Sequence, residues 1–227
     1  GVFGLAHSLY GLTFKEVNNI PKYHEDVKTF EVYDKDGSFL AVLYTDFFPR
    51  ESKGGGAWMT EFRGQHRQNG KDVRPLVSIV MNFTKPTETK PSLLTFDEVT
   101  TFLHEFGHAL HGMLSKVTYN STSGTNVYRD FVELPSQVME NWAFEKEWLD
   151  QWAAHYKTGE KIPAEYITKI HNAANFQSGY QSDRQISFGL VDMAWHTVTG
   201  EVKETVAAFE QQAMSATETF PAVDSSC

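Results

Sequence analysis

Residues 101–112, TFLHEFGHALHG, concentrate side chains that bind metals and transfer protons. His104 and His108 are four positions apart, so on a helix both imidazoles project from one face and can direct nitrogen atoms at one centre. A tetrahedral zinc ion, with Zn–N bonds of about 2.0–2.1 Å, fits that geometry. Glu105 is rotated by about 100° around the helix, which places it to reach water on the metal. The spacing therefore predicts a hydrolytic metal centre with Glu105 as general base.

A catalytic zinc site needs a third protein ligand and an open fourth position. Glu133 stands at the start of the next predicted helix, where a carboxylate can approach His104 and His108. Asp130 and Glu140 are candidates to accept the outer N–H of a ligating imidazole, which fixes its tautomer. The alternative for each of these two is a solvated surface carboxylate.

His111 follows His108 by one helical turn, too far along the helix to be a fourth ligand. We expect it near the metal or facing substrate, unless it is a core histidine bonded to backbone. Two other functions remain open. A structural zinc site would be closed by a fourth protein ligand such as His111 or Asp130, and a metal-free helical module would use the histidines in its core. Burying two imidazoles and a carboxylate without a shared partner is unfavourable, which favours a metal.

The histidines lie within a strong helix signal. Thr95 and Glu98 form a capping box. Apolar residues then recur at spacings of three and four: Val99, Phe102, Leu103, Phe106, Leu110, Met113, Leu114 and Val117. The pattern predicts a helix from Thr95 with one buried face.

The remaining pattern predicts a small sheet followed by helices. A helix at 2–11 precedes a hairpin of strands 27–34 and 39–48 around an Asp-Gly turn. Gly54, Gly55 and Gly56 indicate a loop, and residues 76–84 form a further strand. After the turn-rich segment 120–130, helices are expected at about 132–150, 163–177, 181–198 and 201–213. The class is α+β, predominantly helical.

Composition excludes several functions. The 227 residues are 41% hydrophobic and 14% aromatic, enough for a sizeable core. The formal net charge is −9 without a basic cluster, which argues against nucleic acid. Cys227 is the only cysteine, so a disulfide and a cysteine-based zinc site are both excluded. No apolar run is long enough to span a bilayer, and we expect a soluble protein.

FLHEFGHALHG followed by SGTNVYRDFVELPSQVMENW resembles the thimet-oligopeptidase family of zinc metallopeptidases. The resemblance implies one Zn²⁺ per chain held by His104, His108 and Glu133, with Glu105 as catalytic base. It also implies a zincin-like catalytic core with a small β-sheet, part of a larger two-lobed helical fold. Residues 1–227 are then a single partial catalytic domain, with a hairpin and sheet region at about 1–94 and a zinc-binding helical region at about 95–227.

Other segments, above all HNAANFQSGYQSDRQISFGLVDMAWH, resemble the bacterial peptidyl-dipeptidase branch, which removes dipeptides from the C-termini of oligopeptides. The alternative within the family is an endo-acting oligopeptidase. In zincins, an edge strand before the metal helix pairs with substrate backbone. By that analogy, strand 76–84 is the edge and Asn82 and Phe83 line the cleft; otherwise it is an ordinary interior strand.

The resemblance also implies segments beyond this sequence: an N-terminal helical region that walls a channel, and a C-terminal Gly-Tyr-rich loop that binds the reaction intermediate. We therefore expect this chain alone to be a poor catalyst even if it binds zinc. Its expected partners are oligopeptide substrates and the other parts of the same enzyme. We expect a monomer located in the bacterial cytoplasm, although an export signal upstream of Gly1 would change that location.

Overall fold

The computed structural model describes residues 1–218. The described chain falls into two compact units, residues 1–167 and the described part of 168–227. The first unit contains both the sheet and the histidine-bearing helix. The domain division at 94/95 stays a prediction.

The first unit begins with helix α1 and a run of strands. Their bounds are α1 Val2–Tyr10, β1 Thr13–Val17, β2 Lys28–Tyr33, β3 Phe39–Asp46, β4 Trp58–Arg63, β5 His66–Gln68, β6 Lys71–Val73 and β7 Leu76–Val80. A five-stranded sheet has the order β1-β2-β3-β7-β4, and β5 and β6 form a separate two-stranded sheet. The predicted hairpin is confirmed as the antiparallel pair β2 and β3.

Helices make up the rest of the described chain. They are α2 Phe96–Met113, α3 Arg129–Val132, α4 Leu134–Glu140, α5 Lys146–Trp152, α6 Ala164–Ala174, α7 Ser178–His196 and α8 Val206–Met214, with short 3-10 turns at Asn120–Thr122, Asn141–Phe144 and Ser215–Thr217. The structure is thus a mixed fold of helices and a small sheet. None of the helices in residues 1–218 is long and apolar enough to cross a membrane.

Strand β7 lies inside the sheet, between β3 and β4, with parallel pairing to β3 and antiparallel pairing to β4. The expectation that the strand before the metal helix forms the sheet edge is therefore wrong. Within residues 1–218 the strand at the sheet edge next to β7 is β4, which pairs with β7 on one side only. The hydrophobic run LVSIV is consistent with this interior place, because four of its five residues are buried.

Helix α2 packs on the sheet through its apolar face. Thr95 accepts a hydrogen bond from the Glu98 amide, and the Glu98 carboxylate accepts one from the Thr95 amide, so the predicted capping box is confirmed. Phe106 is fully buried, and its ring lies 6.0 Å from the rings of both Phe3 and Phe14. Burial of this face fixes the rotation of α2 and with it the positions of His104 and His108.

A buried ion cluster holds the start of the glycine loop. Asp46, at the end of β3, accepts two hydrogen bonds from Arg50, one from Lys53 Nζ at 3.0 Å and one from Tyr23. The Asp46 and Lys53 side chains are only 1% and 2% exposed. Burial opposes ionisation of Asp46, but these hydrogen bonds outweigh it and lower its pKa. Lys53 is thereby anchored immediately before Gly54.

Candidate metal centre

Helix α2 presents His104 and His108 side by side. Their ring centroids are 4.9 Å apart and the ring planes are nearly perpendicular, at 85°. His104 is partly exposed, whereas His108 is 9% exposed. Four-residue helical spacing thus brings two imidazoles to one point at the surface of the core.

Glu133 meets both histidines from the junction between α3 and α4. Its Oε2 atom lies 3.2 Å from His104 Nε2 and 3.2 Å from His108 Nε2. These three residues each offer one ligand atom, and those atoms lie within 4.8 Å of one another. The residues predicted to be the metal ligands are therefore brought together from two different elements.

The spacing of these atoms fits a metal better than it fits direct ion pairs. Charge-assisted N–H···O bonds have lengths of about 2.7–2.9 Å, shorter than both 3.2 Å separations at Glu133. Two ligands of a tetrahedral zinc, each about 2.0–2.1 Å from the ion, are separated by about 3.3 Å. His104, His108 and Glu133 thus have donor types that suit a metal ion, and the two nitrogen–oxygen separations at Glu133 match those between ligands of one tetrahedral ion.

The electrostatics of the cluster favour the protonation states that bind metals. Burial lowers the pKa of His108, although the charge of Glu133 opposes that effect. The pKa of Glu133 is lowered, mainly by a hydrogen bond from Ser136. Burial raises this pKa, whereas the two histidines lower it further. Metal ligation needs a neutral imidazole and an ionised carboxylate, and both shifts act in that direction.

Glu140 contacts the side of the His104 ring that faces away from Glu133. Its Oε1 atom is 2.6 Å from His104 Nδ1, so it can accept the N–H on the side of the ring away from Glu133. This contact would fix the tautomer that leaves Nε2 free to bind a metal. His108 Nδ1 is buried without a hydrogen-bond partner in the described part of the chain.

Glu105 lies inward of the three ligand residues and is only 6% exposed. Its pKa is raised, and burial is the main cause. The charge of Glu133 also raises this pKa, whereas His104 and a hydrogen bond with the backbone of Met59 in β4 lower it. The Glu105 carboxyl group is therefore within electrostatic reach of His104 and Glu133 and contacts the backbone of Met59 in the edge strand.

Two other predicted residues lie outside the ligand cluster. His111 borders a groove of about 490 Å³ together with apolar residues that include Leu114, Leu134 and Val138. Its Nδ1 atom is buried and has no hydrogen-bond partner among the described residues. Asp130 is exposed on α3 and is not part of the ligand group. Neither residue closes the coordination sphere as a structural zinc site would require.

Residues 1–225 match the profile of peptidase family M3. The chain belongs to peptidase family M3. It is 45% identical over 217 residues to a dipeptidyl carboxypeptidase of Salmonella typhimurium, an alignment that covers 95% of this chain and 32% of that protein. Oligopeptidase A of Escherichia coli is 42% identical over 198 residues, covering 86% of this chain and 29% of the relative. A thimet-like oligopeptidase of Dictyostelium discoideum is 41% identical over 202 residues, covering 87% and 30%.

The resemblance to the thimet-oligopeptidase family is thus confirmed. This M3 chain spans about a third of the length of the curated relatives it matches. Peptidase chemistry is therefore supported for the family to which this chain belongs.

Asn82 and Phe83 follow the interior strand of this M3 chain, and their contacts differ from a cleft lining. Asn82 Nδ2 donates to the carbonyls of Gly54 and Gly56, at 2.9 and 2.8 Å. Phe83 is 5% exposed, and its ring packs near those of Phe47 and Phe102. Asn82 thus braces the glycine loop and Phe83 belongs to the core.

Three features of the M3 site were missed from the sequence. Ser136 donates to Glu133 Oε2 at 2.7 Å, and its position one turn after Glu133 was the available signal. Gly107 lets α4 approach α2 closely, since a Cβ added there would lie 2.6 Å from the Ser136 Cα. The sequence signal that could have identified Gly107 was its place between His104 and His108 on an otherwise continuous helix.

Glu61, in β4, is the third missed feature. Its Oε1 lies against the backbone of Gly112 and Gly124, because a Cβ added at these glycines would be 2.5 and 2.6 Å from that oxygen. The same atom is buried without a hydrogen-bond partner in the described residues. Burial raises the pKa of Glu61. No residue spacing in the sequence indicates this long-range contact.

Proposed function

We propose that this chain carries the zinc-binding and catalytic residues of a metallopeptidase that hydrolyses peptide bonds in oligopeptides. The observation that carries the proposal is the convergence of His104 Nε2, His108 Nε2 and Glu133 Oε2, with both nitrogen–oxygen separations at 3.2 Å. Glu105 lies beside this cluster as a buried carboxyl group. Two histidines, one carboxylate and a neighbouring base make up the residue set of a catalytic zinc site rather than a closed structural one.

When bound, Zn²⁺ would polarise the scissile carbonyl and lower the pKa of water at the site towards 7. Glu105 takes a proton from the attacking water on its carboxylate, and then donates that proton to the leaving amine nitrogen as the peptide C–N bond breaks. Glu140 holds the His104 ring through Nδ1. The proton that leaves the water thus ends on the new amino terminus.

The free edge of β4 supports a peptide substrate in extended form. An unpaired strand edge offers backbone N–H and C=O groups that a peptide can bind by strand addition. Within residues 1–218, β4 has one neighbour, β7, and the backbone of Met59 in β4 acts on Glu105. A peptide along this edge would have its backbone near the general base.

We propose release of C-terminal dipeptides as the specificity. The support is the 45% identity to a protein named dipeptidyl carboxypeptidase, over 95% of this chain. The second candidate is internal cleavage of oligopeptides, favoured by the 42% identity to a protein named oligopeptidase A. We expect the 227-residue chain alone to hydrolyse peptides far more slowly than the full-length protein, because it spans about a third of such relatives.

The test uses the full-length protein with zinc and one peptide in two forms, with a free and an amidated C-terminus. Mass spectrometry of the products gives the cleavage positions, and the Glu105→Gln variant is the control for contaminating peptidases. Dipeptides released only from the free C-terminus support the peptidyl-dipeptidase proposal. Internal cleavage of both forms supports the oligopeptidase, and zinc-independent cleavage or none would refute both.

A further inference from the structure

We propose that Ser136 is the positioning residue for the third metal ligand: its hydroxyl selects Glu133 Oε2 and holds it towards the two histidines. This inference rests on the proposed function, because it concerns the same metal centre. It assigns a role to a residue that neither ligates the metal nor contacts the reacting atoms.

The hydrogen bonds around Ser136 show which oxygen receives its hydroxyl proton. Ser136 Oγ is 2.7 Å from Glu133 Oε2 and 2.9 Å from the Glu133 carbonyl oxygen. A hydroxyl donates only one proton. The carbonyl already accepts the amide N–H of Gln137 at 2.9 Å, and a carboxylate is the stronger acceptor. The proton of Ser136 therefore belongs to Oε2.

The two partners differ greatly in mobility. Ser136 is fully buried, and its Cα is pressed against Gly107 on α2, where an added Cβ would be only 2.6 Å away. The Glu133 side chain is 48% exposed, and a long carboxylate side chain has several rotamers open to it. Ser136 thus supplies a fixed point on the same helix turn for a side chain that solvent would otherwise leave free.

The choice of oxygen matters for the coordination number. Oε2 is the oxygen that faces both imidazoles, at 3.2 Å from each. Holding this atom in place favours ligation through one carboxylate oxygen. A ligand set of two histidines and one carboxylate oxygen leaves the fourth position of a tetrahedral ion open. Ser136 would thus keep the site catalytic as well as tighten it.

The test measures zinc affinity in the full-length protein. Apo wild type, Ser136→Ala and Ser123→Ala are titrated with Zn²⁺ in competition with a chromophoric chelator. Ser123 is the matched control, since it is also fully buried but its hydroxyl has no hydrogen-bond partner in the described chain. Loss of a residue that orients a metal ligand typically costs about 10–100-fold in affinity. We expect that loss for Ser136→Ala and less than a twofold change for Ser123→Ala.

Two further measurements separate positioning from general packing. The Co²⁺-loaded proteins are compared by visible absorption, where Ser136→Ala should shift the ligand-field bands and Ser123→Ala should leave them unchanged. Ser136→Gly also removes the hydroxyl donor, adds no group that binds zinc and should also lose affinity, which provides a second variant if the alanine variant fails to fold. Circular dichroism confirms that each titrated variant is folded.

Wild-type affinity and an unchanged cobalt spectrum in folded Ser136→Ala would overturn the positioning role and leave the proposed peptidase intact. Equal losses in Ser136→Ala and Ser123→Ala would overturn it too, because they would indicate packing alone. A wild-type protein that binds no zinc would overturn the proposed function and this inference with it.

Discussion

Replacing Gly107 by alanine is expected to lower both the stability of the protein and its zinc affinity. Alanine is intrinsically favoured over glycine inside a helix by about 1 kcal/mol, so propensity alone predicts stabilisation. At Gly107, however, the added Cβ would lie 2.5 Å from the carbonyl oxygen of Pro135 and 2.6 Å from the Cα of Ser136. Both atoms are backbone of α4 and cannot rotate away. Overpacking of this kind costs about 1–3 kcal/mol, and the rigid contact places it near 3, so we expect a net loss of about 2 kcal/mol.

The same clash should open the metal site. Ordinary carbon–carbon contact is about 3.5 Å, so α4 must retreat from the 2.6 Å approach at Ser136 by about 0.9 Å. Glu133 immediately precedes α4 and should move with it, away from His104 and His108 on α2. Metal sites tolerate errors of about 0.2 Å in ligand distance. We therefore expect at least a tenfold weaker zinc affinity in Gly107→Ala.

The assay pairs urea denaturation with a zinc competition titration, and Gly4→Ala is the matched control. Gly4 is also inside a helix, α1, but a Cβ added there meets no atom within 4 Å. Gly4→Ala should gain about 0.5–1 kcal/mol from propensity and bind zinc as wild type does. If Gly107→Ala is stabilised like the control and keeps its zinc affinity, the close approach of α2 and α4 is refuted.

Three further outcomes follow from the structure. Glu105→Gln should keep one zinc per chain but slow peptide hydrolysis by about 10²–10⁴-fold; wild-type turnover would refute its role as base. Burial raises the pKa of Glu61 in the folded state. Between the pKa of the unfolded state and the raised pKa of the folded state, the folded protein therefore binds more protons than the unfolded one. The free energy of unfolding should fall as the pH rises through this range. Glu61→Gln should lack this decline in urea midpoint against pH, and parallel curves would contradict the assignment. Lys53→Met removes one of the cations that pair with buried Asp46 and should lower the free energy of unfolding by about 3 kcal/mol, measured by urea denaturation. Lys28 is exposed, and Lys28→Met should change the free energy of unfolding by less than about 1 kcal/mol. Equal effects of the two substitutions would contradict the burial argument.

Local signals account for the parts of the site that the sequence predicts. The capping box at Thr95 and the apolar spacing after it depend on neighbours within one or two helical turns, and α2 begins at Phe96 as expected. The same spacing places His104 and His108 on one face. Glu133 was indicated by its position at the start of the next predicted helix, and the family motif then pointed to the same residue.

Non-local packing accounts for what the sequence did not predict. The helix expected at about 132–150 is broken into α3, α4, a 3-10 turn and α5. Its apolar pattern continues across the breaks, because Met139, Ala143, Trp148 and Leu149 all enter the same core. One break is local, since Glu145 is extended with φ −80 and ψ 116.

Strand order is also non-local. The sequence pattern identifies residues 76–84 as a strand, but it cannot show that β4 pairs on the outer side of β7. β4 was missed because its burial pattern is mostly exposed, as expected of an edge strand. The general base consequently neighbours a strand that the sequence left unassigned.

The most direct test of the central claim is the zinc content of the purified protein, measured by inductively coupled plasma mass spectrometry. The wild type and a His196→Ala control, altered at a histidine that is 73% exposed on α7, should each contain one zinc per chain. His104→Ala and Glu133→Gln should contain none after dialysis against a weak chelator. A zinc-free wild type, or full retention of zinc by both variants, would contradict the account.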